Sequence, residues 1–534
     1  MTHRKFCWPA LFAAVALLCP PYSLASTAVL PAAPAAGQTW SVQTYAGPAE
    51  LIVTTIRSAP SITILVLVDT LASAESDQLR KELLDSYPSF HGHPLQIGFL
   101  NQKGELTLPV PVSSRARFKQ LLDNLAGAAE VQTVPSPEVL DDLIAVIPKL
   151  GPKQGTLLVI GELPKLDSAS TAFASALLVR ALSDQQLRAS LFSPASIEQG
   201  WSALFQSRGG QIVSALKDLS LAPSTPADSL SELTWTTPPP TAGFIVSRPA
   251  ILDDHGASIL AVPDISLADG VPVPSVAQYA DAQKKISESE ILLSEGPLTQ
   301  ARADRIRESV QAALQLNPRD SGALYLATSM YEKAEDYPDA VKMSALLVEV
   351  GPRDGAAYAT FGHALRLNSE LDRSDAALKR AAELGVTTSQ INEDFARLCI
   401  ARKDDKAALP YLQEVLRQDF ERQDIWFLQA QAAERSENST LAEHSYEQGL
   451  SLGGVHIAET GALLRLYFSG KQTDQATQLA KTQLANLPPA PEERLQFATT
   501  LDDLNQKDLA MQAWRALLQV QPASEQGHTR VARL

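Results

Sequence analysis

Pro318 and Pro352 stand 34 residues apart, and continuing at that step reaches Val386, Phe420, Gly454, Pro488 and Pro522, each at the end of a helix-like segment. Twelve residues before each lie Ile306, Ala340, Ser374, Ala408, Ala442, Ala476 and Ala510, nearly all small. Four residues further on come Val310, Ser344, Leu378, Leu412, Tyr446, Ala480 and Trp514. A register held over so many units without a slip restricts the chain from about residue 275 onward to a stack of helical hairpins. One hairpin cannot bury its apolar face alone, so stacking is obligatory.

Upstream in the units, Phe361-Gly362, Phe395-Ala396 and Phe497-Ala498 pair a large apolar residue with a small one. This register resembles the tetratricopeptide (TPR) pattern, in which small residues let two antiparallel helices approach and bulky ones fill the remaining space. The sequence departs from it in a poorly matched first leading helix, and in Val386, Phe420 and Gly454 standing for the terminal proline. The resemblance implies a right-handed superhelix whose leading helices line a concave, peptide-holding face. Carried over unit by unit, the groove positions fall on Tyr325, His363, Arg366, Arg397, Phe427, Arg435, Arg465 and Phe468. Arginines on one face suit an acidic peptide or a chain-terminal carboxylate, because guanidinium binds carboxylate bidentately. Glu393, Glu434, Asp502 and Asp503 map near the same face and would neutralise it.

The other end of the chain reads as a leader. Met1-Thr2-His3-Arg4-Lys5 is basic, Trp8 to Leu18 is apolar, and Ser23-Leu24-Ala25 sets small residues at −3 and −1 of a cut before Ser26. That is the layout of a secretory signal peptide, residues 1–25, and predicts a periplasmic or secreted protein. Residues 26–39 read as an Ala/Pro linker. No later stretch is long and apolar enough to span a bilayer. The formal charge of −15 becomes −17 without Arg4 and Lys5, which disfavours nucleic acid and anionic lipid as partners. Cys7 and Cys19 lie in the leader, so Cys399 is left without an intrachain disulfide partner.

Between residues 40 and 220 strand-like and helix-like segments alternate, the signature of an α/β, doubly wound parallel sheet. Ser61–Thr70 is a β-branched apolar run, as in a strand buried on both faces. Leu95–Leu100, Gly155–Gly161 and Leu187–Phe192 read as further strands, with helices over Asp77–Tyr87, Arg115–Leu125, Pro137–Leu150, Thr171–Leu182 and Ile197–Ser207. Residues 221–274 form a linker and a small β region. A hairpin there turns at Asp253-Asp254-His255-Gly256 and is expected to pair with strands near Trp40–Tyr45 and Glu50–Ile56. The repeats occupy 275–534, so the fold class is α/β plus α.

Val66-Leu67-Val68-Asp69-Thr70, Gln96-Ile97-Gly98-Phe99, Thr156-Leu157-Leu158-Val159-Ile160 and Arg208-Gly209-Gly210 resemble a von Willebrand factor A (vWA) domain. Such domains often hold a divalent cation through an Asp-x-Ser-x-Ser loop, a threonine and a later aspartate. Here Asp69 and Ser73 match, but Leu71 replaces the middle serine, Thr133 is a loose match, and Ile160-Gly161-Glu162 lacks the aspartate. An apolar side chain at a ligand position removes an oxygen, so a metal-free domain is expected, with no cofactor. His91-Gly92-His93 has no third zinc ligand at a recognisable spacing, and Cys399 reads as a buried, inert thiol. With no phosphate loop or nucleophile elbow, the sequence reads as a non-enzymatic scaffold binding a protein or peptide partner. The alternative is a cation-dependent adhesion protein with the repeats as spacer.

Overall fold

The computed structural model describes residues 25–30, 39–56, 61–67, 73–90, 94–100, 106–123, 135–150, 155–193, 199–214, 216 and 230–534. Residues 1–24 of the leader, Asp69, Leu71, His91, His93, Thr133 and the side chain of Ser73 therefore lie outside the described residues. The chain divides into two compact units, residues 1–333 with 349–353, and residues 334–348 with 354–534.

The first unit opens on short strands: β1 (Ala25–Leu30), β2 (Ser41–Thr44), β3 (Gly47–Ala49) and β4 (Ile52–Ile56). Strands and helices then alternate. They are β5 (Ile62–Leu67), α1 (Ser73–Phe90), β6 (Leu95–Leu100), β7 (Leu106–Pro111), α2 (Arg115–Asp123), α3 (Glu138–Val146), β8 (Gly155–Ile160), α4 (Ser168–Asp184), β9 (Leu187–Phe192), α5 (Gln199–Ser207) and β10 (Ile212–Val213). Five more strands follow: β11 (Leu230–Thr236), β12 (Phe244–Ser247), β13 (Ala250–Leu252), β14 (Ser258–Ala261) and β15 (Asp264–Leu267).

The main sheet has the order β10-β9-β8-β5-β6-β7, parallel except for the edge strand β7. Its apolar runs are buried on both faces, as their lack of alternation predicts. Leu65, Leu157 and Leu191 pack with Leu140, Phe173 and Trp201 of α3, α4 and α5. Ile64, Leu158 and Ile160 pack on the other side with Leu79 of α1 and Phe118 of α2.

The small β region differs from expectation in its pairing. The hairpin β13–β14 does pair with β2, and Asp253 fixes its turn by accepting from the N–H groups of His255 and Ala257. β4, however, pairs with β11. The linker reading fails at its start, because β1 is the other neighbour of β11 and buries Ala28 and Val29. A short Ala/Val run needs no long hydrophobic pattern to form a strand when an existing strand supplies the ladder.

The helices are α6 (Val276–Ser294), α7 (Gln300–Leu316), α8 (Ser321–Lys333), α9 (Tyr337–Val350), α10 (Gly355–Leu367), α11 (Leu371–Glu383), α12 (Ser389–Ala401), α13 (Asp405–Gln418), α14 (Gln423–Arg435), α15 (Ser439–Ser451), α16 (Ile457–Ser469), α17 (Thr473–Ala485), α18 (Pro491–Asp503), α19 (Lys507–Val520) and α20 (Glu525–Arg533). Leading helices from α8 to α20 begin at 34-residue steps, and so do the trailing helices from α9 to α19. The C-terminal region is thus a helical repeat array. Ala340, Ser374, Ala408, Ala442, Ala476 and Ala510 are all fully buried, where the small-residue register placed them.

The expected boundary near residue 275 does not divide the units. Val276 and Tyr279 of α6 belong to the α/β core, Tyr279 stacks on Phe173 with ring centroids 4.3 Å apart, and α6 to α8 fall in the first unit. Helical periodicity marks where helices begin, not which core they complete.

Candidate protein-interaction face

The turn joining the two helices of each hairpin sets how a leading helix is presented. Ser369 is left-handed at φ +63°, its N–H donates to the Arg366 carbonyl, and the Glu370 N–H donates to the Leu365 carbonyl. That pair of bonds is a Schellman stop. It recurs at Lys403, Glu437, Lys471 and Asn505, each 34 residues on, and Glu335 shares the left-handed conformation. Behind each leading helix, small residues admit the neighbour. A Cβ on Gly362 would lie 2.7 Å from Leu378, and one on Gly449 would lie 2.5 Å from the ring of Phe427.

The expected groove residues separate into three groups on this frame. Phe427 is buried against Gly449 in the core of the second unit, so it fills the hairpin and offers no surface to a ligand. Tyr325 is half-buried on α8, in the first unit. The remaining residues lie on leading helices of the second unit, where the basic ones other than Arg465 meet internal acids.

Asp394 of α12 is almost wholly buried, and one of its oxygens is 2.7 Å from His363 Nδ1 and 2.9 Å from Arg366 Nε, both on α10. Arg397 donates to Glu393 at 2.8 Å, and Arg422 reaches the other oxygen of the same carboxylate at 3.0 Å. Arg435 donates twice to Asp405, at 3.0 and 2.7 Å, and this hydrogen bonding raises its pKa. Glu393 thus neutralises the face as its sequence position suggested, while Asp394 and Asp405, not singled out by the sequence, do so as well. Of the other acids near the face, Glu434 accepts from the Tyr446 hydroxyl at 3.2 Å, Asp502 is 3.3 Å from Arg530, and Asp503 is exposed.

Arg465 differs. It occupies the ninth position of α16, equivalent to His363 and Arg397, is exposed, and forms no ion pair among the described residues. Its field acts on Tyr446, whose pKa is raised chiefly by burial and then by Glu434. Phe468, one turn on, is half-buried against the core of the second unit.

The other candidate chemistry is thin. Cys399 is half-buried where the sequence suggested full burial, and burial pushes its thiol pKa up, away from nucleophilic use. Among the described residues no three His, Cys, Asp or Glu side chains gather as a metal-ligand set. No described helix is long and apolar enough to cross a membrane.

No protein-family model matches the sequence, and no curated protein does. Solved structures do match. Pseudomonas aeruginosa PilF is 14% identical with a TM-score of 0.35, covering 42% of this chain and 99% of its own. YrrB, described as a TPR protein with an unusual peptide-binding site, is 13% identical with a TM-score of 0.30, covering 39% and 97%. The APC/C hetero-tetramer Cut9–Hcn1 is 14% identical with a TM-score of 0.31, covering 50% and 57%. The repeat architecture of this chain rests on its own helix spacing.

Proposed function

We propose that the protein is an exported, non-enzymatic scaffold whose TPR-type repeats bind a protein or peptide partner, with a carboxylate of that partner received at α16. The observation that carries the reading is the contrast between Arg465, exposed and without an ion pair among the described residues, and Arg366, Arg397 and Arg435, each held by an internal acid. A guanidinium already satisfied by a buried carboxylate gains little from a second one. An exposed, unpaired one retains its full donor set. Phe468 supplies apolar surface one turn away. In this reading the α/β unit is a vWA-like domain without a metal, on the ground that Leu71 stands at a ligand position and Ile160-Gly161-Glu162 lacks the later aspartate.

The test is capture from envelope extract by the full mature chain and by its Arg465→Glu variant, with identification of what is retained. A partner held by the wild type and lost from the variant supports the reading. A partner held equally by both removes α16 from the recognition surface.

A further inference from the structure

β1 begins where the sequence places a leader-peptidase cut. Ser23-Leu24-Ala25 precedes Ser26, and Ser26 is the second residue of β1, paired with Trp235 of β11. The strand that follows is integral to the folded unit. Ala28 and Val29 are buried, and Thr27 accepts a hydrogen bond at 3.1 Å from the buried guanidinium of Arg208. A cut after Ala25 would therefore place the new chain end at the start of a packed strand, not at the start of a loose tail.

Asp264, the first residue of β15, faces that end. Its Oδ1 accepts from the Ser26 hydroxyl at 2.8 Å and from the Ile265 N–H at 2.9 Å. Its Oδ2 is buried without a hydrogen-bond partner among the described residues. Burial pushes this carboxyl above the usual aspartate range, against the opposing Ser26 and Ile265 hydrogen bonds and the field of Arg180. A cavity of about 50 Å³ lies between Ser26, Thr27, Arg180, Asp184 and Asp264. A buried carboxylate oxygen left unsatisfied is costly, and a cation delivered to it converts the cost into a paired charge. The nitrogen of a serine lies about 3–4 Å from its own hydroxyl oxygen, so with that hydroxyl 2.8 Å from Oδ1 the Ser26 nitrogen lies within about 7 Å of the same carboxylate, in reach of a small side-chain adjustment.

We propose that hydrolysis of the Ala25–Ser26 bond makes Ser26 the amino terminus, and that its α-ammonium pairs with Asp264 and locks β1 into the first unit. The inference rests on the export reading for the origin of the cut. Water adds across the amide under an endopeptidase of the leader-peptidase class. The Ala25 carbonyl carbon takes the oxygen and leaves as a carboxylate, and the Ser26 nitrogen becomes an ammonium at neutral pH. Before the cut that nitrogen is an uncharged amide and offers Asp264 no counter-charge, so processing itself completes the fold.

Two measurements separate the halves of the proposal. Intact-mass analysis of the full chain, expressed with its leader in an exporting bacterial host, is expected to give a mature species beginning at Ser26. A different first residue overturns the processing step. Independently, residues 26–534 are released from a fusion with a free Ser26 and compared with the same chain carrying Gly-Ala in front. The free-terminus chain is expected to melt about 3 °C higher at neutral pH, and the gap to close when both carry Asp264→Asn. Equal melting temperatures, or a gap that persists when the Asp264→Asn substitution has removed the carboxylate charge, overturn the pairing. Should the Asp264→Asn chains fail to fold, slower acylation of the Ser26 amine than of the extended amine carries the same test, and equal rates overturn it.

Discussion

The carboxylate of Asp141 caps a helix that begins 135 residues later, accepting the backbone N–H of Val276 at 2.6 Å and of Ala277 at 3.1 Å. These are first-turn donors that α6 cannot satisfy internally, and the negative charge also complements the helix dipole. Ser275 adds a capping box with Gln278. Farther along, Asn317 exchanges two hydrogen bonds with the backbone of Phe244. The first helices of the repeat array are thus fastened into the α/β core.

Asp141→Ala should therefore lower the stability of the first unit by about 1–2 kcal/mol, the usual cost of losing a helix cap. Urea unfolding of the full chain measures it. A fragment cut at residue 275 should expose Val276 and Tyr279 and aggregate, whereas a fragment cut at 334 should remain monomeric by sedimentation. Equal behaviour of the two fragments would contradict the placement of α6 to α8 in the first core.

Asp394 is the most buried acid on the leading helices and holds His363 and Arg366 together. Removing it leaves a mostly buried guanidinium without its partner, so Asp394→Ala should cost about 3 kcal/mol or more. Chemical denaturation of fragment 334–534 reads the change. A loss below about 1 kcal/mol would mean that the cluster is a surface arrangement of the weak, solvent-screened kind.

The recurring left-handed turn makes a prediction of opposite sign. A side chain in this conformation costs about 1 kcal/mol that glycine avoids. Lys471→Gly should raise stability by about 0.5–1 kcal/mol, and Lys471→Val should lower it by at least as much. A glycine variant less stable than the parent would deny the turn geometry.

Acid should act differently on the two units. Hydrogen bonding to Arg422 holds Asp424 below the usual aspartate range; in Asp375, burial is outweighed by hydrogen bonds from Lys379 and Arg402. Stability from these depressed groups is present above about pH 4 and is lost as pH falls through their folded values. Asp320 is raised by burial, so it takes up a proton before the unfolded chain does, and lowering the pH favours the folded state. Calorimetry from pH 7 to pH 4 and below should show the melting of the repeat unit falling relative to that of the first unit. Parallel shifts would contradict the assignment.

The legible parts of the fold were those carried by a period. Helix spacing, buried small residues and the strands β5 and β8 follow from patterns of 34, 3.6 and near-continuous apolar runs. The turns were hidden because Glu335, Ser369, Lys403, Glu437 and Lys471 stand where glycine would have announced a left-handed residue. β1 was hidden by an Ala/Pro-rich setting. Two of the acids that hold the arginines were missed for a different reason: Asp394 lies 28 residues from Arg366 and Asp405 lies 30 before Arg435, distances meaningful only once neighbouring units are stacked. Phe427 was misplaced because the groove register does not reveal that Gly449 opens a hole behind it.

The most direct measurement is the affinity of the captured partner, or of a peptide carrying its acidic or C-terminal segment, for Arg465→Ala and Arg435→Ala chains. A charge-assisted hydrogen bond is worth about 1.5–3 kcal/mol. Arg465→Ala should therefore weaken binding by about tenfold or more, while Arg435→Ala, already paired with Asp405, should leave it within about twofold. Equal losses from the two substitutions, or none from Arg465→Ala, would contradict recognition at α16.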